Sequence, residues 1–194
     1  QGRFARARRG EKWCLLDAAG QEIVPCQFDE LHPFSNHLAE ARLDTQWGFV
    51  DTTGRWAIRA QYQRTGSFGA EGLALVVKDG KYIFLDARGN VRFQTPYTYV
   101  GWFHEGLARF EQNGQWGYLN ERGQAKIPAR FEQAYDFRNG MAAIGFRGKW
   151  GFINTNGVVV VQPQYDRVMN FNQGLAPFQQ GDRWGLLNRR GQVL

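Results

Sequence analysis

Apolar and polar residues alternate along most of the chain, in short runs separated by glycine-bearing turns, the signature of half-buried strands. In Trp116-Gly117-Tyr118-Leu119-Asn120 and Trp150-Gly151-Phe152-Ile153-Asn154 both alternating faces are apolar. Such a run is an interior strand packed from two sides. Each run ends in a turn with Asp or Asn first and Gly fourth: Asp17/Gly20, Asp51/Gly54, Asp86/Gly89, Asn120/Gly123, Asn154/Gly157 and Asn188/Gly191. The Asx side chain caps a type I turn, and glycine takes the positive-φ position that follows. A second strand comes next (Glu22–Pro25, Val158–Val161), then a looser stretch carrying motifs such as Gln164-Tyr165-Asp166. A third strand starts at Gly106–Ala108 or Gly174–Ala176 and re-enters the next run through Asp79-Gly80, Asn113-Gly114 or Arg147-Gly148, which are two-residue hairpin signals. The predicted unit is a three-stranded antiparallel meander with the apolar run in its middle.

This unit repeats. Its anchor is the aromatic at Trp13, Trp47, Tyr82, Trp116, Trp150 and Trp184, spaced 34, 35, 34, 34 and 34 residues apart. Fifteen residues on stand Phe28, Tyr62, Tyr97, Phe131 and Tyr165; twenty-one on stand Phe34, Phe68, Phe103, Phe137 and Phe171. Eight residues before every anchor is an alanine, from Ala5 to Ala176. Six units fill residues 1–194 as a single repeat domain, without a linker. A unit this small cannot bury both faces alone, so stacked neighbours must supply the core. The expected fold is all-β, six three-stranded meanders stacked as an open solenoid-like array. The alternative is a six-bladed β-propeller, which needs the Tyr-Asp stretch as a fourth strand. The anchor tryptophans are read as buried, and the glycine after each as the place where an adjacent repeat comes close.

Composition adds partners but no chemistry. The net charge is +6, and 19 of 24 basic residues are arginine. The favoured reading is a solvated surface, with phosphate or carboxylate partners as the other. The one dense basic run, Arg3, Arg6, Arg8, Arg9 and Lys12, alternates with Phe4 and Ala7 and reads as a strand edge. No apolar stretch approaches a membrane span. The first residue is Gln1 rather than Met, so the chain is read as processed or trimmed, and the lack of a secretory signal leaves the compartment open. Cys14 and Cys26 fall on successive strands about two residues out of register, so two ordinary buried thiols are favoured over a bridge between them.

The segment Lys149-Trp150-Gly151-Phe152-Ile153-Asn154-Thr155-Asn156-Gly157, followed by Gln164-Tyr165-Asp166, Phe171 and Gly174-Leu175-Ala176, resembles the bacterial WG-repeat (KWG) family, and the resemblance runs through essentially the whole chain. Departures are Cys14 and Ile83 for the motif glycine, Tyr82 for tryptophan, and Thr95-Pro96-Tyr97 for Gln-Tyr-Asp. The resemblance implies an interaction-related role and brings no catalytic residues. The Trp–aromatic–Asp–Gly rhythm is also similar, more weakly, to choline-binding cell-wall repeats.

His32, His37 and His104 have neither metal spacing nor a nearby thiol, and the two serines, Ser35 and Ser67, form no nucleophile elbow. Asp29, Glu132 and Asp166 recur at one phase of the repeat; the glycosidase-like reading of paired carboxylates yields to turn capping. No enzyme activity, cofactor or metal is expected. The function that remains is a binding or scaffolding module for another protein, with an envelope glycan or an acidic surface as alternatives and nucleic acid ranked last. Recognition should sit where one repeat departs from its siblings. Trp56 stands where other repeats carry Glu22 and Val159, and Trp102 where they carry Pro33, Ser67, Asp136 and Asn170. With Arg59, Arg64, Tyr99 and His104 close in sequence, these form the candidate binding residues. The competing reading has Trp102 refilling the core of the irregular third repeat.

Overall fold

A computed structural model describes residues 4–194, so Arg3 of the basic run lies outside the described residues. Every regular element among them is a strand, and six antiparallel sheets follow one another along the chain. The first holds β1 (Phe4–Arg9), β2 (Lys12–Asp17) and β3 (Glu22–Phe28). The second holds β4 (Glu30–Leu31), β5 (Leu38–Leu43), β6 (Gln46–Asp51) and β7 (Trp56–Tyr62). The third holds β8 (Arg64–Thr65), β9 (Leu73–Lys78), β10 (Lys81–Asp86) and β11 (Val91–Gln94). The fourth holds β12 (Tyr99–His104), β13 (Leu107–Gln112), β14 (Gln115–Asn120) and β15 (Ala125–Phe131). The fifth holds β16 (Gln133–Ala134), β17 (Met141–Phe146), β18 (Lys149–Asn154) and β19 (Val159–Tyr165). The last holds β20 (Arg167–Val168), β21 (Leu175–Gln180) and β22 (Arg183–Asn188). Every sheet takes its strands consecutively from the sequence, so each repeat pairs within itself as the meander pattern predicts.

The unit has one strand more than the pattern predicts. The residues directly after the Tyr-Asp motif pair with the strand that follows the loop, as Gln133↔Gly145 and Arg167↔Gln179. The added strand is mostly two residues long, too short to show alternation.

The turns form as their residues dictate. Asn154 Oδ1 accepts from the amides of Asn156 and Val158, and Asp17 Oδ1 from those of Ala19 and Gln21. The acids of the Tyr-Asp phase cap the other hairpin: Asp29, Glu132 and Asp166 accept, each at 2.7 Å, from the amides of Asp44, Arg147 and Gly181. Lys149 Nζ beside Asp166, with the Gly181 amide, holds that carboxyl below its ordinary range.

The glycine after each anchor has another purpose than the one expected. The register slips between Trp150↔Tyr165 and Phe152↔Val161, so one residue, Gly151, faces a bulge of three. A Cβ on Gly151 would lie 2.2 Å from Val161 O and 2.7 Å from Pro163 N. On Gly48 it would lie 2.5 Å from Ile58 O. The glycine makes room for the bowed strand of its own sheet, not for the adjacent repeat. The approach between repeats falls instead on the turn glycines: a Cβ on Gly54 would lie 1.9 Å from Val24 Cγ2, and one on Gly157 would lie 3.2 Å from Ile127 Cγ1.

The same bulge overturns the expectation of two free thiols. With Trp13↔Phe28 and Leu15↔Val24 as partners, Cys14 faces Pro25-Cys26-Gln27. The Cα atoms of Cys14 and Cys26 are 4.0 Å apart and the sulfurs are bonded. The bulge removes the two-residue offset that a regular hairpin would impose.

Contacts divide the chain into two compact units, residues 1–96 and 97–194. In the first, Leu15, Val24, Phe28, Ala39 and Val50 fill the space between sheets one and two, and Phe49, Ile58, Phe68, Ala74 and Leu85 that between two and three. In the second, Tyr118, Ile127, Phe137, Ala142 and Ile153 lie between sheets four and five, and Phe152, Val161, Phe171, Ala176 and Leu187 between five and six. Successive residues of the middle strand thus feed successive cores. The rings two and twenty-one residues past the anchors meet across these spaces, at 5.0 Å for Phe49–Phe68, 4.7 Å for Tyr118–Phe137 and 4.8 Å for Phe152–Phe171. The periodic alanines Ala39, Ala74, Ala142 and Ala176 are buried in these four cores. Glu40, 5% exposed, adds a polar tie, accepting from Thr65 Oγ1 (2.9 Å) and Ser67 Oγ (2.7 Å) of the neighbouring repeat.

The anchor tryptophans themselves are not the core. Trp13, Trp47, Trp116 and Trp150 are half-buried and Trp184 is 52% exposed. Each anchor is the first apolar residue of its strand, so it lies at the sheet's end while Phe49, Tyr118 and Phe152 go inside.

Candidate functional site

The six candidate residues, Trp56 and Trp102 with their sequence neighbours, fall into two groups, three in each unit. In unit 1–96, Trp56 opens β7 and its ring meets Phe28 edge-on at 5.6 Å, packed against the first core. This tryptophan is partly buried and serves the scaffold. Its outer part lines an open depression of ≈390 Å³ with Leu43, Arg59 and Ala60. Arg64, on β8, is exposed but does not line that depression.

In unit 97–194, Tyr99, Trp102 and His104 all lie on β12. The β12–β13 register shifts between Val100 and Phe103, and this irregularity leaves Trp102 43% exposed instead of refilling the core. Tyr99 meets Trp116 edge-on at 5.4 Å, and the Arg109 guanidinium lies 5.7 Å over Tyr99 and 5.3 Å over Trp116. Arg109 Nη1 donates to Ala134 O at 3.1 Å, and its Nε lies 3.0 Å from Asp136 Oδ1, an ionic contact without hydrogen-bond alignment. His104 Nε2 approaches the other oxygen of Asp136 at 3.5 Å. Below this group the Tyr118 hydroxyl donates to Tyr135 O at 2.6 Å. Burial first, and the Asp136 charge second, push the Tyr118 hydroxyl above its ordinary range, which keeps it a donor.

Arginine over an anchor recurs, with Arg6 5.4 Å from Trp13 and Arg42 5.9 Å from Trp47. A share of the arginine excess is thus spent on indole faces inside the repeat rather than held for phosphate.

Sequence reasoning missed part of the surface. Tyr135 is 51% exposed and stacks on Trp150 at 5.0 Å with 21° between planes. His32 lies against Trp47 at 5.0 Å with the planes tilted by 53°. Tyr135 and Met169 stand nineteen residues past their anchors, where other repeats carry His32, Gly66 and Gly101, so the rule that found Trp102 also reaches them. Met169 and Trp184 are exposed as well. Unit 97–194 therefore presents a series of exposed aromatic and thioether side chains: Tyr99, Trp102, Tyr135, Met169 and Trp184.

The family profile described as the WG containing repeat matches residues 15–44, 47–82, 84–116, 116–150 and 150–184. No curated protein gives a significant match. Among solved structures, BamB from Moraxella catarrhalis superposes with a TM-score of 0.51 at 15% identity, over 100% of this chain and 70% of that one. A eukaryotic initiation factor gives 0.60 at 13% identity, over 100% of this chain and 62% of that one. Kluyveromyces lactis Hsv2 gives 0.53 at 9%, over 96% and 71%. At such identities the likeness concerns the fold, which is that of β-propeller chains.

Proposed function

Since the chain belongs to the WG-repeat family, whose repeats here build the scaffold, we propose that it is a non-enzymatic module that binds another protein through the aromatic series of unit 97–194. The observation that carries this reading is the exposure of Trp102 and Tyr135, at positions where another repeat carries only Ser67 and Gly66. Tyrosine, tryptophan and arginine are the residues in which interface energy concentrates. A scaffold of packed antiparallel sheets holds them in place, so little entropy is lost on docking. An envelope glycan is the second reading, because the nearly parallel Tyr135–Trp150 pair leaves a tyrosine ring half exposed for stacking on a sugar.

The test is cross-linking of the full chain in bacterial lysate, followed by affinity measurement with the purified partner. Trp102→Ala and Tyr135→Ala should each weaken binding by about 30-fold, a loss of roughly 2 kcal/mol, while melting like the parent chain. Early melting with unchanged affinity would place both residues in the scaffold and end the proposal. Retention on purified envelope glycan in place of protein would shift the function to the second reading. Binding that falls steeply with salt would point to phosphate contacts instead.

A further inference from the structure

The first repeat replaces the glycine of the bulge by a side chain and sets a second one opposite it. Cys14 stands where Gly48, Gly117 and Gly151 stand, and Cys26 where Ala60, Ala129 and Pro163 stand. Glu22 completes the group: its Oε1 is 4.0 Å from Cys26 Sγ, and the ligand atoms of Cys14, Glu22 and Cys26 all lie within 4.8 Å of one another. Cys14 is buried, Cys26 is half-buried and Glu22 lies at the rim, so the group runs from the sheet interior out to water.

We propose that Cys14, Cys26 and Glu22 form a redox-gated site for a thiophilic divalent cation of the zinc type. The disulfide is the shut form. A thiol reductant opens it: the S–S bond takes up two electrons and two protons, giving two thiols, while two reductant thiols become a disulfide. The cation then displaces both thiol protons and is held by two thiolates and one carboxylate, with water in the fourth position. Two sulfurs and one oxygen suit zinc and disfavour calcium or magnesium, which take oxygen sets. Backbone geometry holds the cysteines together before any ion arrives, because the bulge fixes their Cα atoms 4.0 Å apart. Arg9 Nη1 pairs with Glu22 at 2.7 Å, but its side chain is 77% exposed, so it swings away from the carboxylate at little cost. The shut form matches oxidising surroundings and the open form reducing ones.

The full chain, reduced and freed of reductant without oxygen, is titrated with cobalt(II) and then zinc(II). The reduced chain should bind one equivalent with a thiolate-to-cobalt charge-transfer band, lose that band to zinc and release protons on binding. The oxidised chain should show no band. Cys26→Ala introduces the residue that Ala60 and Ala129 carry at the same place, so the variant folds, and it should abolish the band. Glu22→Gln should keep a sulfur band but weaken zinc by more than the roughly 10- to 100-fold that loss of an outer-shell partner costs. A reduced chain without the band, a band that survives in Cys26→Ala, or unchanged zinc affinity in Glu22→Gln would each overturn the site as drawn.

Discussion

Gly151 is held by the backbone of its own sheet, and that decides what a side chain there does. A valine would put its Cβ 2.2 Å from Val161 O and 2.7 Å from Gln162 C, and backbone cannot swing aside like the tip of a side chain. Gly151→Val is expected to lower stability by about 1–3 kcal/mol despite valine's better strand propensity, read as a lower denaturant midpoint. A neutral or stabilising outcome would mean the bulge of β19 flattens without cost. At Gly54 and Gly157 two demands coincide, a φ near +76° and +79° and a neighbouring repeat against the Cα. The first demand is legible in the Asx-x-x-Gly pattern. The second depends on how sheets stack.

At the scale of the strand, the middle strand of each sheet is the structural unit, and its residues divide the labour by position. Phe152 is 1% exposed and lies between sheets five and six, whereas Trp150, two residues earlier, is half-buried at the sheet's end. Phe152→Ala should therefore cost about 3–5 kcal/mol and Trp150→Ala clearly less, although tryptophan is the residue that marks the repeat. Chemical denaturation of the two variants side by side decides it. A larger loss at Trp150 would return the anchors to the core. The tryptophan is conspicuous in the pattern because it recurs. Its depth depends on where the strand ends, and alternation does not encode that.

At the scale of the molecule, each compact unit carries two inter-sheet cores of its own. Where repeats rest on their neighbours within a unit, stability is local and approximately additive. Residues 97–194, expressed alone, should fold and unfold in one cooperative transition, seen by circular dichroism in a denaturant titration. A sloping melt without a transition would show that two cores are not enough. The candidate binding residues follow this division too: Trp56, Arg59 and Arg64 belong to one unit, and Tyr99, Trp102 and His104 to the other. The departure-from-repeat rule reached one side chain that is exposed, Trp102, and one that is packed partly against a core, Trp56.

The repeat, its period, the Asx turns, the hairpin signals and the all-β class are properties of the sequence itself, because each follows from local backbone preference or from alternation along a strand. That the acids of the Tyr-Asp phase serve the repeat was legible from their recurrence; the turn each one caps, fifteen residues further on, is set by the added strand beside it. What tertiary structure decided is whatever depends on register across strands or on the next sheet. The bulge opposite Gly151 is a slip in pairing between β18 and β19, and it alone reassigns the glycine and brings Cys14 to Cys26. The extra strand at Gln133–Ala134 exists only because β17 lies beside it. The half-exposed anchors, and the arginines lying over them, follow from where sheets end and neighbours begin. Alternation tells which face a side chain takes; only the partner strand tells what it meets there.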